Sequence, residues 1–183
     1  VRPSVKEQVE SLGGKFIEVS YDTPEEKEAA EGVGGYAKPM PPSWLARQQV
    51  EVAKRVAMAD IVISTALIPG RAAPTLITED MVKAMKPGSV IVDLAVERGG
   101  NCPLSKPNEV VVHKGVSILG TVNLAGRLAG NASPLFAKNL ANFLDLIVQK
   151  DGTLKVDEAD DCIKGTMIAK DGALVHQIYA GAK

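Results

Sequence analysis

Short apolar runs alternate with helix-length stretches along most of this chain. Val5, Val9 and Leu12 recur at helical spacing and stop at Gly13-Gly14, predicting a short helix over 5–12 with a glycine at its end. A strand is predicted over 15–20. Residues 22–42 are rich in Glu, Gly and Pro and carry no lasting periodicity, so they are expected to form a loop of about 20 residues, a length usually reserved for functional or disordered segments. Ser43 then offers an N-cap for a long helix reaching Met58. The β-branched run 60–65 has the texture of a strand buried on both faces. Thr78 can cap a helix with acidic residues in its first turn, and Lys86-Pro87-Gly88 supplies the stop. Further strands are predicted over 89–93, 109–113 and 117–119, and a long amphipathic helix over 133–148. Apolar strands alternating with helices indicate parallel βαβ units. The expected fold class is therefore α/β, with a Rossmann-like, doubly wound and mainly parallel sheet.

Beyond 149 the texture changes. Lys150-Asp151-Gly152 and Lys170-Asp171-Gly172 read as hairpin turns between short alternating stretches. The expected organisation is a partial dinucleotide-binding domain over 1–149 and a β-rich tail over 150–183 that returns toward a neighbouring domain.

Charge removes some partners from consideration. With 21 basic and 22 acidic residues the net charge is -1, so no chain-wide field draws nucleic acid or anionic lipid. The longest mainly apolar runs, 61–69 and 140–148, fall well short of the roughly 20 residues needed to span a bilayer, so no direct membrane insertion is expected of this segment. Cys102 and Cys162 form no CxxC pair and have no histidine at ligand spacing, which predicts reduced thiols and no metal site. The opening Val1-Arg2-Pro3-Ser4 has no initiator Met and no signal-peptide pattern, as expected of a chain cut from something longer.

Ligands of open α/β sheets bind outside the carboxyl ends of the strands. Here those ends are 64–70, 93–101 and 120–124, all supplied with small residues that let a ligand approach the backbone. A dinucleotide also needs a glycine-rich turn that aims peptide N–H groups at its pyrophosphate. Gly32-Val33-Gly34-Gly35 has the wrong spacing and follows no strand. The first βα unit, with that turn, is thus expected upstream of Val1. Neither His113 nor His176 has the partners of a catalytic triad in recognisable spacing, and no catalytic residue is assigned.

Several motifs together carry a family resemblance over residues 1–176. They are Val1-Arg2-Pro3 followed by the 6–13 segment, Gly34-Gly35-Tyr36-Ala37-Lys38, Thr65-Ala66-Leu67-Ile68-Pro69-Gly70, and the 86–97 segment ending Asp93-Leu94-Ala95-Val96-Glu97. The chain resembles the NAD(H)-binding domain of the proton-translocating nicotinamide nucleotide transhydrogenase alpha subunit and, more distantly, alanine dehydrogenase. That resemblance implies NAD(H) as cofactor, with Val1 and Arg2 beside the adenosine ribose and Gly35 and Tyr36 on a mobile loop of about 31–42. It also implies Gln48 at the start of the following helix and Thr65, Ala66 and Leu67 beneath the nucleotide. It further implies hydride transfer to NADP(H) held by a partner domain, a separate membrane domain that moves protons, and a homodimer. The implied location is the cytoplasmic face of the bacterial inner membrane or the mitochondrial matrix.

Two other functions fit the same residues. An alanine dehydrogenase-like oxidoreductase would carry a catalytic Asp where this chain has Glu97, one methylene longer. A non-catalytic nucleotide-binding fragment is the other alternative, since the phosphate turn is missing.

Overall fold

The computed structural model describes residues 4–31, 39–68, 70–176 and 179. Chain contacts divide it into two compact units, Val1–Val122 and Asn123–Lys183. Val1, Arg2, Gly35 and Tyr36 lie outside the described residues, as does most of the loop expected over 31–42.

The first unit begins with α1 (Ser4–Ser11). Its end is closed by Gly13, at φ 79°, and by the Gly14 N–H donating to the Val9 carbonyl at 3.0 Å. The strand expected over 15–20 pairs with no other strand among the described residues.

The expected structureless stretch contains a helix, α2 (Pro24–Glu31). Thr23 Oγ1 accepts from the Glu26 N–H at 3.2 Å, while the Glu26 carboxylate reaches back to the Asp22 N–H at 2.8 Å. This is a variant of the capping box, with proline at the favoured first helical position. Helix α3 (Pro42–Met58) follows, and Ser43 is not its cap. The Ser43 hydroxyl instead donates to Glu26 Oε1 at 3.1 Å, and Arg47 donates to Glu26 Oε2 at 2.6 Å. Around this pair Ala29, Ala30, Met40 and Trp44 form a small core, with Tyr21 stacked on Trp44 at 6.2 Å.

Four strands make the sheet: β1 (Ile61–Ser64), β2 (Val90–Asp93), β3 (Val110–His113) and β4 (Val116–Leu119), in the order β1-β2-β4-β3. The pairs β1 with β2 and β2 with β4 are parallel, and β3 is antiparallel to β4. Lys114 and Gly115 join the last two with φ of 49° and 81°, the left-handed pair that a tight two-residue hairpin requires. Between β1 and β2 lies α4 (Glu79–Ala84), whose Thr78 cap accepts from the Met81 N–H at 3.3 Å.

One face of the sheet carries the main core. Ile91, Ile118 and Val116 pack with Val56 of α3 and with Met81 and Val82 of α4. Each fully buried aliphatic side chain contributes on the order of 1.5–3 kcal/mol relative to exposure. The opposite face carries Ile61, Ile63, Val110 and Val112, all about two-thirds exposed. The composition of β1 predicts burial on both faces; the strand lies at the sheet edge and is covered on one only.

In the second unit, α5 (Leu124–Arg127) leads into α6 (Ala129–Ile147), whose Leu135, Phe136, Leu140 and Leu144 are exposed. An isolated bridge from Val148 to Leu154 closes the turn containing Gly152. Helix α7 (Asp161–Thr166) is capped by Asp160. The tail then forms the expected small hairpin, β5 (Ala169–Lys170) with β6 (Ala173–Leu174), turning through Asp171 and Gly172 at φ 49° and 78°. No helix among the described residues is long and apolar enough to cross a membrane.

Glu26 connects charge to stability. Burial pushes its carboxyl up, but the Asp22 N–H, Arg47 and Ser43 together reverse that and hold it below the ordinary glutamate value. A lowered folded pKa gives stability that is present above the ordinary value of about 4.3 and is lost as pH falls through the lower folded one. Trp44, the single tryptophan, is buried beside this pair and reports it. Acid titration of Trp44 fluorescence is expected to show loosening of α2 from α3 in that range, and Glu26→Gln is expected to remove the transition.

Candidate functional site

The carboxyl ends of β1 and β2 are side by side because the strands are parallel and in register, Ser64 opposite Asp93. The ladder continues one residue further, with the Leu94 N–H donating to the Ser64 carbonyl at 2.9 Å. Beyond that point both chains must turn away, and their polar groups need other partners.

Asp93 is fully buried and serves that need. Its Oδ1 accepts from the Ala95 N–H at 3.0 Å and, at 3.4 Å, from the Ser64 hydroxyl. Its Oδ2 accepts from the Cys102 N–H at 3.0 Å and from the Ser105 hydroxyl at 2.6 Å. Four neutral donors thus draw the loop after β2 around one carboxylate. Within it, Val96–Arg98 forms a 3-10 turn, and Gly99 and Gly100 follow at φ 94° and 81°. A Cβ on Gly100 would come within 2.6 Å of Asp93 Oδ2, so the close approach as well as the left-handed backbone demands glycine there. Cys102 is fully buried in the same loop, and its burial raises the thiol above its usual range. That environment suits an inert structural cysteine.

Asn101 binds this loop to the one after β1. Fully buried, its Oδ1 accepts from the Ala66 N–H at 3.0 Å, and its Nδ2 donates to the carbonyls of Ala66 at 2.9 Å and Pro74 at 2.8 Å. Its own carbonyl accepts from the N–H groups of Leu76 and Ile77 at 2.9 and 3.0 Å. Ala73 adds a further tie, its N–H donating to the Arg98 carbonyl at 2.7 Å.

A cleft of about 350 Å³ opens between these two loops, lined by Leu67, Leu94, Ala95, Glu97 and Arg98. That volume lies near the lower end for small-molecule sites, enough for one end of a dinucleotide. Leu67, Leu94 and Ala95 supply an apolar wall, while Glu97 and Arg98 bring opposite charges to its rim. Of the residues expected at the site, Leu67 lines this cleft. Thr65 is exposed beside it, and Ala66 is half-buried with its N–H committed to Asn101. Gln48, half-buried on α3, lines a separate groove of about 560 Å³ with Leu45, Pro74 and Leu76. The structure therefore brings Thr65, Ala66 and Leu67 together and places Gln48 in another concavity.

Sequence patterns alone do not single out Asp93, Asn101 or Arg98 as site residues. The signal available is Gly99-Gly100-Asn101, a glycine pair directly after a strand-end loop, which marks a tight turn before a polar side chain.

The family model described as alanine dehydrogenase/PNT, C-terminal domain, matches residues 1–177. The chain belongs to this family. It is 54% identical over 182 residues to an NAD(P) transhydrogenase subunit alpha polypeptide of Rhodospirillum rubrum, covering 99% of this chain and 47% of that protein. To the NAD(P) transhydrogenase subunit alpha of Cereibacter sphaeroides it is 46% identical, over 95% of this chain and 33% of the relative. A solved transhydrogenase structure from Sinorhizobium meliloti superposes with a TM-score of 0.74 at 43% identity, covering 96% of this chain and 44% of that one. An alanine dehydrogenase from Halomonas elongata is 34% identical over 68% of the chain. The chain thus spans about half or less of the length of these relatives.

Asp93→Asn replaces one acceptor oxygen by an amide that faces existing donors. Leaving a buried donor unsatisfied costs about 1–3 kcal/mol, and denaturant unfolding is expected to show a loss of that size.

Proposed function

We propose that this chain is the NAD(H)-binding component of a proton-translocating transhydrogenase, passing hydride between its own NAD(H) and NADP(H) held by a partner domain. The observation that carries this reading is the cleft at the carboxyl ends of two parallel strands in a chain whose relatives bear the transhydrogenase name along almost its whole length. The tendency of open α/β sheets to bind ligands outside the carboxyl ends of their strands supports this reading.

The residues act by position. Leu67 with Leu94 and Ala95 offers one ring of the nucleotide a dry face, and Arg98 stands at the rim where a charged group of it would emerge. Thr65 and Ala66 lie beneath, and Val1 and Arg2 flank the adenosine ribose. The nicotinamide supplies the hydride chemistry itself. Gly35 and Tyr36 belong to a segment within 31–42 that closes over the nucleotide, excluding water during transfer and opening for release. Gln48, in the first half of α3, also contacts the nucleotide. No residue of the chain takes a covalent or proton-transfer role.

In the complete enzyme the NADP(H)-binding domain and a membrane domain are the partners, with the present component paired as a homodimer. It faces the cytoplasm at the bacterial inner membrane, or the matrix in mitochondria. Residues 150–183 return toward a neighbouring domain, beyond a nucleotide-binding region over 1–149.

Titration of the full-length protein with NADH, followed through Trp44 fluorescence, tests the reading. Saturable binding is expected, and Leu67→Asp is expected to weaken it about tenfold or more, a cost of about 1.4 kcal/mol or above. Tyr36→Phe is expected to slow transhydrogenation modestly without unfolding. Absence of NADH binding, or NADH formation from L-alanine at a comparable rate, would overturn the assignment.

A further inference from the structure

Ala66 lies just past the end of β1, where strand pairing has stopped, yet both of its backbone groups are occupied. They are occupied by one side chain, Asn101, which comes from the loop after β2, 35 residues away. An amide side chain offers an acceptor on one atom and two donors on the other. Ala66 presents one N–H and one carbonyl, and Pro74 presents a second carbonyl, so the amide fits this trio in one orientation only. Oδ1 must face the N–H, and Nδ2 must face the two carbonyls. The side chain thereby imitates the neighbouring strand that the sheet no longer provides.

We infer that Asn101 is a positioning residue for the nucleotide, setting the path of 65–67 along the cleft; this rests on the NAD(H) reading above. Asn101 does not line the cleft itself and acts through the backbone it holds. Its amide occupies the Ala66 N–H, so the nucleotide meets this segment through the Thr65 side chain, the Ala66 methyl and Leu67. The Asp93 carboxylate anchors the flanks of the clamp, at Ala95 on one side and Cys102 on the other. Because Asn101 also holds Pro74 and, through its carbonyl, Leu76 and Ile77, the 66–77 connection is fixed at both ends of its course. Contacts between the nucleotide body and the 65–67 path are made alike in the ground and transition states, so loosening that path raises KM and leaves the rate at saturation nearly unchanged.

The test uses the full-length protein assembled with its NADP(H)-binding partner. In Asn101→Ala the KM for NADH is expected to rise about tenfold, equivalent to about 1.4 kcal/mol. The KM for NADP(H), and the rate at saturating NADH, are expected to stay within about twofold, a factor worth only a few tenths of a kcal/mol. A general structural lesion would lower the rate or the folded fraction without this split. An unchanged KM for NADH in a folded variant overturns the inference. Should the variant fail to fold, amide hydrogen exchange at Ala66 in the unaltered protein decides instead. Ala66 is outside any strand ladder, so slow exchange without NADH supports the clamp and fast exchange overturns it. An unaltered protein that binds no NADH would sink the NAD(H) reading and this one with it, whereas binding that survives Asn101→Ala at full affinity sinks this one alone.

Discussion

A carboxylate taken wholly out of water must be surrounded by donors, and the position of the donors around Asp93 dictates how the chain leaves the sheet. Two backbone N–H groups and two hydroxyls converge on it from residues that span both strand ends and the following loop. Unmet, such a group would cost several kcal/mol. Met, it holds a loop whose glycines allow an approach that any side chain would block. The cleft, the 3-10 turn and the seat of Asn101 all follow from that one arrangement.

A division of labour between fixed and adaptable regions results. The floor of the candidate site is sewn to the sheet by side-chain amides and carboxylates, which leaves little freedom at 65–67 or 93–102. Binding of a nucleotide cofactor places its demand on such a fixed floor, while the hydride chemistry belongs to the cofactor rather than to reactive protein groups. The small core of Ala29, Ala30, Met40 and Trp44 is built differently, around the Glu26 and Arg47 ion pair. It joins α2 to α3 and so fixes the described stems on either side of residues 32–38.

The sheet face opposite the main core is open, carrying Ile61 and Ile63 of β1 and Val110 and Val112 of β3. β1 lies at one edge, and Ile61 and Ile63 project away from the helices that cover the other face. Their β-branched, apolar character is that of a strand meant to be covered on both sides. The chain accounts for about half or less of its relatives' length.

The sequence by itself determined which segments would be strands and helices wherever periodicity and punctuation agreed. β1, β2 and the Thr78-capped α4 stand where their apolar runs and stop signals predict, and the Asp171-Gly172 turn makes its hairpin. Local signals suffice there because caps and turns are formed by residues a few positions apart. α2 is hidden from pattern reading because its apolar face is two alanines wide, and its Thr23-Pro24-Glu25-Glu26 start lies in a stretch dominated by loop residues. Ser43 misleads because a serine at the start of a helix has the same local pattern whether it caps the helix or bonds to a carboxylate 17 residues back. Tertiary structure alone decided the rest. Whether Asn101 meets Ala66, which strand lies at the edge, and which side chains share the cleft are facts about residues brought together across the sheet, and no local spacing encodes them.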